Sequence, residues 1–163
     1  MIRKITRAGF IALGLVGVTL GGLTLRPKTP PVGGGVLFPG AMIDRPTLAL
    51  FERSCQNCHS ENTKWPWYSR IPPASWMIAK DVREARSHVN FSNWNSYSAG
   101  RQENLLTQIG SVARTGRMPL PRYTFLHHEA ILTPQERQQI YEWSKAEKKR
   151  LRAIDGFTPG SPR

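Results

Sequence analysis

A chain of 163 residues, 39% hydrophobic and 21% charged, has the size of about one ordinary domain and is too apolar for a disordered acidic or basic tail protein. Its 23 Lys and Arg against 11 Asp and Glu give a net charge of +12, so its partners are expected to be anionic. Two cysteines three positions apart cannot form the disulfide scaffold of a small secreted domain, which leaves cysteine to chemistry rather than stapling.

The chain begins with Arg3, Lys4 and Arg7, and then runs from Ala8 to Leu25 without a charge. At 1.5 Å per residue that run spans roughly 27 Å, near the lower limit for crossing a bilayer and longer than the apolar stretch of a cleavable signal. No Ala-x-Ala site follows it, so residues 1–25 are read as an uncleaved membrane anchor. The pair Gly17 and Gly21 would permit close helix approach, though five glycines in the run make this a weak signal. Residues 26–45 are rich in Pro and Gly and lack periodicity, which predicts a linker, the alternative being a loop packed on the head through Val36, Leu37 and Phe38.

The head, residues 46–155, reads as all-α, with no convincing strand, no internal repeat and a short tail at 156–163. Asp44 is placed to cap a helix starting near Arg45 and Pro46 and leading through Leu48, Leu50 and Phe51 into Cys55. The next five residues are Cys55-Gln56-Asn57-Cys58-His59. Two thiols so spaced can each add to one vinyl group of a haem, and the adjacent histidine can then serve as the proximal iron ligand. A thioredoxin-like pair would need a βαβ setting that is absent here. A zinc site completed by His127 or His128 remains formally open.

Behind the motif, Trp65, Trp67 and Tyr68 can supply flat apolar walls and N–H and O–H donors to a porphyrin, or else form core beside it. Lys64 and Arg70 could balance propionate charge. A second helix follows Pro72 and Pro73, with Trp76, Ala79, Val82, Ala85 and Val89 at spacings of three and four. A third, from Gln102 to Arg114, aligns Leu105, Leu106, Ile109, Val112 and Ala113 and stops at Gly116. The fourth opens on a capping box, Thr133-Pro134-Gln135-Glu136, and carries Ile140, Trp143, Leu151 and Ile154. Trp76, Trp94, Trp143 and Met77 are expected in the core.

The sixth iron position has few candidates. Met118, between Gly116 and the prolines at 119 and 121, sits on a loop stiffened by restricted φ angles, as a flexible thioether requires. Met42 lies near the linker, His88 near a helix end, and His127 and His128 just before the capping box, where surface or capping roles are expected. The metal ligands are thus read as His59 and Met118, and the cofactor as one covalently attached haem c.

Taken in order, Cys55 to Ser60, Thr63 to Ser69, Pro73 to Trp76, Asp81-Val82, Asn90 to Trp94, Met118-Pro119 with Tyr123, and His127 to Leu132 resemble the bacterial haem-binding domain family of monohaem c-type cytochromes. The resemblance runs from Cys55 to about Trp143. It implies a small all-α, cytochrome-c-like fold with the Met-Pro block as distal-ligand loop. The chain departs from the family pattern at Leu120 and at His128.

A His- and Met-ligated iron has no free position for substrate and exchanges electrons, so a membrane-anchored electron carrier is expected rather than an enzyme. Two alternatives are an accessory haem subunit of a larger membrane redox complex and a haem enzyme or gas sensor with a labile sixth ligand. Haem attachment of this type takes place outside the cytoplasmic membrane, which puts the head on the periplasmic side. The basic excess, part of it in Lys145, Lys148, Lys149, Arg150 and Arg152, would steer the head toward an acidic redox partner or an anionic lipid surface. Dispersed charge and the lack of any reading motif argue against nucleic acid.

Overall fold

The structure is a computed structural model that describes residues 29–155. The anchor run and the C-terminal tail lie outside those residues, and among the described residues no helix is long and apolar enough to cross a membrane. All regular structure among them is helical. Helix α1 is Arg45–Ser54, α2 Gln56–His59, α3 Ala74–His88, α4 Ala99–Arg114, α5 Pro121–Thr124 and α6 Pro134–Asp155. Three 3-10 turns, Trp67–Arg70, Phe91–Ser96 and His128–Ala130, connect them.

The sequence dictates the helix ends through capping chemistry. At α1, Asp44 accepts from the Thr47 amide (2.9 Å) and from the Thr47 hydroxyl (2.7 Å), and the amide bond above all holds the Asp44 carboxyl below its usual pKa. At α6 the capping box is reciprocal: the Thr133 amide donates to Glu136 Oε2 (2.8 Å), and the Glu136 amide to Thr133 Oγ1 (3.2 Å). Helix α4 starts three residues before the expected Gln102, capped by Ser98, and stops in a Schellman motif. There the Gly116 amide bonds to Ala113 O and the Arg117 amide to Val112 O, with Gly116 at φ +69°. This closure aims the chain at Met118, whose amide also reaches Val112 O (3.3 Å).

The core lies between α1, α4 and α6 and centres on an aromatic cluster. Phe38, 2% exposed, packs its ring within 4.4–5.1 Å of Phe51, Phe91, Trp94 and Trp143. Trp94 and Trp143 are core as expected, joined by Leu105, Leu106, Ile109 and Ile140. Helices α4 and α6 approach closely at Gly110, where a Cβ would come within 3.2 Å of Ser144 and Tyr141. The linker expectation needs correction: from Pro31 on it is a strap on the head, with Leu37 and Phe38 in the core. The Phe38 amide donates to Phe91 O (2.9 Å), the Trp143 indole N–H to Met42 O (2.8 Å), and Arg150 to Gly40 O (3.2 Å). Phe38 adopts φ +54°, a left-handed conformation unfavourable to a bulky residue, and burial of its ring among four aromatics offsets that cost.

Two further expectations fail on α3. Trp76 is 44% exposed and Met77 53% exposed. Ala79 and Val82 are buried, whereas Met77 belongs to the wall of the cavity described below and Trp76 to neither core nor cavity. The basic run on α6 is also less available than its sequence implies. Lys145 pairs with Glu142, Lys148 donates to Thr107, Arg150 binds the buried Glu147, and Arg152 binds Glu103.

Candidate haem site

The attachment motif sits at a kink. Helix α1 ends at Cys55, whose φ of −127° breaks the helical path, and the short α2 restarts at Gln56. The amides of Cys58 and His59 both bond back to Cys55 O (3.2 and 3.0 Å), which fixes the two thiols and the imidazole on one turn. The turn is held from behind. Ser60 Oγ donates to Gln56 O (2.8 Å), Thr63 Oγ1 to Asn57 O (2.8 Å), and the Lys64 amide to Asn57 Oδ1 (3.0 Å). Arg86 of α3 spans the junction, donating to Ser60 O (2.9 Å), Thr63 Oγ1 (2.9 Å) and Pro31 O of the strap (2.8 Å).

In front of this turn lies a cavity of about 440 Å³, within the size range of small-molecule and cofactor sites. Cys55, Cys58 and His59 form one side of it. Trp65, Pro66 and Tyr68 follow them, α3 contributes Met77, Ile78, Val82 and Ala85, and the chain after α4 contributes Met118, Pro119, Tyr123, Leu126 and His127. A second cavity of about 200 Å³ adjoins it, with Phe51, Phe91, Leu105 and Ile140 in its wall. Cys55, His59, His88 and Met118 line both. The residues singled out as axial donors therefore share one space, although they are 59 positions apart in sequence.

The chemistry of each group follows from its surroundings. His59 Nδ1 lies 3.2 Å from Val89 O, and a carbonyl can only accept, so Nδ1 carries the proton and Nε2 keeps its lone pair. Burial lowers the His59 pKa, which keeps the ring neutral, and Phe91 stacks on it at 5.4 Å. A neutral imidazole oriented through Nδ1 is the form that binds a metal. Burial also pushes the Cys55 thiol up to about 12 and the Cys58 thiol up to about 11. A redox-exchange or nucleophilic pair needs its thiols shifted the other way, so the thioredoxin-like reading loses its chemistry. Among the described residues no group of three His, Cys, Asp or Glu side chains is placed to hold a metal ion.

Of the aromatic block, Trp65 and Tyr68 line the larger cavity and Trp67 does not. The Trp67 ring meets Tyr68 edge-on and is 77% exposed, because the 3-10 turn points it away from the cavity. Lys64 reaches the cavity wall, whereas Arg70 is not among its lining residues.

Sequence reasoning missed two contributors. His127, expected at the surface, lines the cavity with its ring stacked 4.4 Å from Tyr123 and its Nε2 2.6 Å from the Tyr68 hydroxyl. Asn57, inside the attachment motif, donates to the Tyr123 hydroxyl (2.9 Å) and so ties the motif to the chain beyond Met118. The position of Tyr123 and His127 beside the Met118 loop was the available signal. His88, read only as lying near a helix end, lines both cavities.

Comparison with known proteins agrees with this geometry. Residues 41–146 match the haem-binding domain family. The chain is also similar to the cytochrome c peroxidase Ccp of Escherichia coli (strain K12), at 25% identity over 113 residues that make up 68% of this chain and 24% of that protein. It thus spans about a quarter of the length of that relative. No solved structure matches. With the match covering the strap's end, the attachment turn, the cavity and most of α6, the chain belongs to the haem-binding domain family and is a haem protein.

Proposed function

We propose that this protein is a membrane-anchored monohaem c-type cytochrome that passes single electrons on the periplasmic side of the cytoplasmic membrane. The observation that carries the reading is the shared cavity of Cys55, Cys58, His59 and Met118, with His59 Nε2 left free by the bond at Nδ1. The residues fit the group. Cys55 and Cys58 would hold it through thioethers, His59 and Met118 would supply the axial donors, and Trp65, Ile78, Val82 and Leu126 would bound it with apolar surface.

When bound, the haem supplies a one-electron redox centre. The chain's own part is to fix that centre and keep substrates from it. Val89 O locks the His59 ring, the Schellman closure aims Met118, and Arg86 braces the attachment turn against α3. With His59 and Met118 both holding the iron, no position would remain for a substrate, which favours a carrier over a catalyst. The apolar run at 8–25 supports an anchor, and the net positive charge supports an acidic redox partner.

The full chain, matured in a host that attaches haem c and purified in mild detergent, is expected to carry one haem by mass and to show a thioether-to-iron charge-transfer band. Met118→Ala is expected to abolish that band and to lower the reduction potential, and an unchanged band and potential would remove Met118 as ligand. The similarity to a segment of a cytochrome c peroxidase favours a second reading, a peroxide-reacting haem whose sixth position opens. Rapid carbon monoxide binding by the reduced native protein would select that reading.

A further inference from the structure

His127 lies in a hydrogen-bonded chain that the electron-carrier reading does not use. Its Nδ1 is 3.0 Å from Glu129 Oε1 and its Nε2 2.6 Å from the Tyr68 hydroxyl. Glu129 is held as a carboxylate, its pKa lowered first by its own backbone N–H and then by His127, so it can only accept and Nδ1 must donate. Nε2 then accepts the Tyr68 O–H, and burial raises the Tyr68 pKa and keeps that phenol protonated. If the ring takes up a second proton, Nε2–H donates to the Tyr68 oxygen while Nδ1–H stays on Glu129. Both protonation states therefore keep both ring nitrogens hydrogen-bonded with the heavy atoms in place, and only the Tyr68 O–H has to turn away from Nε2.

The chain also has an inside and an outside. His127 and Tyr68 line the cavity, whereas the Glu129 side chain is 64% exposed, so its carboxylate stands on the solvent side of the ring, where its charge favours imidazolium. Tyr123 stacks on the imidazole, and Asn57 fixes Tyr123 from the attachment motif. The other titratable or charged groups facing this arrangement are His128 beside Glu129, the Cys58 thiol near both tyrosines, and, around the cavity, Lys64, Glu84, His88 and the Asp81–Arg122 pair. That pair is internally neutralised, with Arg122 Nη2 2.7 Å and Nε 3.0 Å from the carboxylate.

We propose that His127 is a proton-binding site coupled to the redox centre, so that one-electron reduction draws one proton from solvent onto imidazole Nε2 while Nδ1–H stays on Glu129. This inference rests on the haem reading above. The balance is one electron from a one-electron reductant and one proton from water, and oxidation returns both. Lowering the positive charge in the cavity by one unit favours imidazolium on its wall, so the ring binds its proton more tightly in the reduced protein. The reduction potential then falls as pH rises through the neutral range where histidine titrates, and flattens on either side.

The test is an optical redox titration of the haem-loaded full chain between about pH 5 and 9, the range in which histidine changes charge. The wild type is expected to show the falling segment. His127→Gln is expected to lose it, and Glu129→Gln, a surface change that leaves the core intact, to move it to lower pH by withdrawing the carboxylate that stabilises the imidazolium. NMR of the His127 ring should give a higher pKa in the reduced than in the oxidised protein. A segment retained unchanged in both variants, or removed instead by His88→Gln, overturns the proposal and assigns the proton elsewhere. A pH-independent potential in haem-loaded wild type also overturns it while leaving the carrier reading intact. Protein that carries no haem after maturation overturns the carrier reading and this inference with it.

Discussion

The two sides of the head are built on opposite plans. On the core side, α4 and α6 close on each other at a glycine, and five aromatic rings fill the space between them and the strap. On the cavity side, the wall is assembled from one turn of helix, a 3-10 turn, one face of α3 and the irregular chain after Met118, and polar side chains hold the pieces in place. The first side takes its shape from apolar packing, which is insensitive to the identity of any single polar group. The second takes its shape from hydrogen bonds that each orient one functional atom, as Val89 O does for His59 and Asn57 for Tyr123.

Substitutions should divide along the same line. The largest effect is expected at Phe38: replacing it by Ala should cost about 3–5 kcal/mol, because a buried ring among four others leaves space that cannot close. Urea unfolding of the full chain measures this, and a loss below about 1 kcal/mol would mean the strap does not belong to the core. Arg150→Ala should follow at about 3 kcal/mol by the same measurement, since it strands the carboxylate of Glu147, 1% exposed, without its partner.

On the cavity side the leading expectation is chemical. Before haem attachment, Cys58 should react with iodoacetamide at pH 8 about two orders of magnitude more slowly than an exposed thiol, because burial holds its pKa near 11. Comparable rates would show the attachment turn to be open. A smaller loss, about 1 kcal/mol, is expected for Asp44→Ala. Because the folded Asp44 pKa is lowered, its contribution is complete above the ordinary carboxylate range and fades as pH falls through the folded value, so the variant should differ least from wild type in acid. Smallest of all, Trp67→Ala should change stability by less than about 0.5 kcal/mol, in keeping with a ring outside both core and cavity.

What the sequence made legible was local. The Asp44 cap, the Thr133–Glu136 box and the Gly116 stop are each written in three or four adjacent residues, and each forms as read. The attachment motif was equally local, and so was Trp143 on the apolar face of its helix. The strap stood only as the alternative to a free linker, because Pro and Gly dominate the segment and burial of two residues, Leu37 and Phe38, leaves no periodic signal. Trp76 and Met77 were misplaced for a different reason: an apolar stripe has the same spacing whether it faces a core, a cofactor cavity or solvent. His127 was misread because Tyr68, the partner that turns its ring toward the cavity, lies 59 residues away, and only the fold brings the two together; Tyr123 and Glu129, four and two residues off, were the local hint.

The strap also bears on how this head can be excised. A fragment cut at residue 41, where the family match begins, keeps every proposed iron and thioether donor yet discards Leu37, Phe38 and the Pro31 carbonyl that Arg86 grips. Such a piece would retain the full chemistry with a defect at its centre, so the smallest autonomous unit starts at the beginning of the strap, about ten residues ahead of where homology alone would place the scissors.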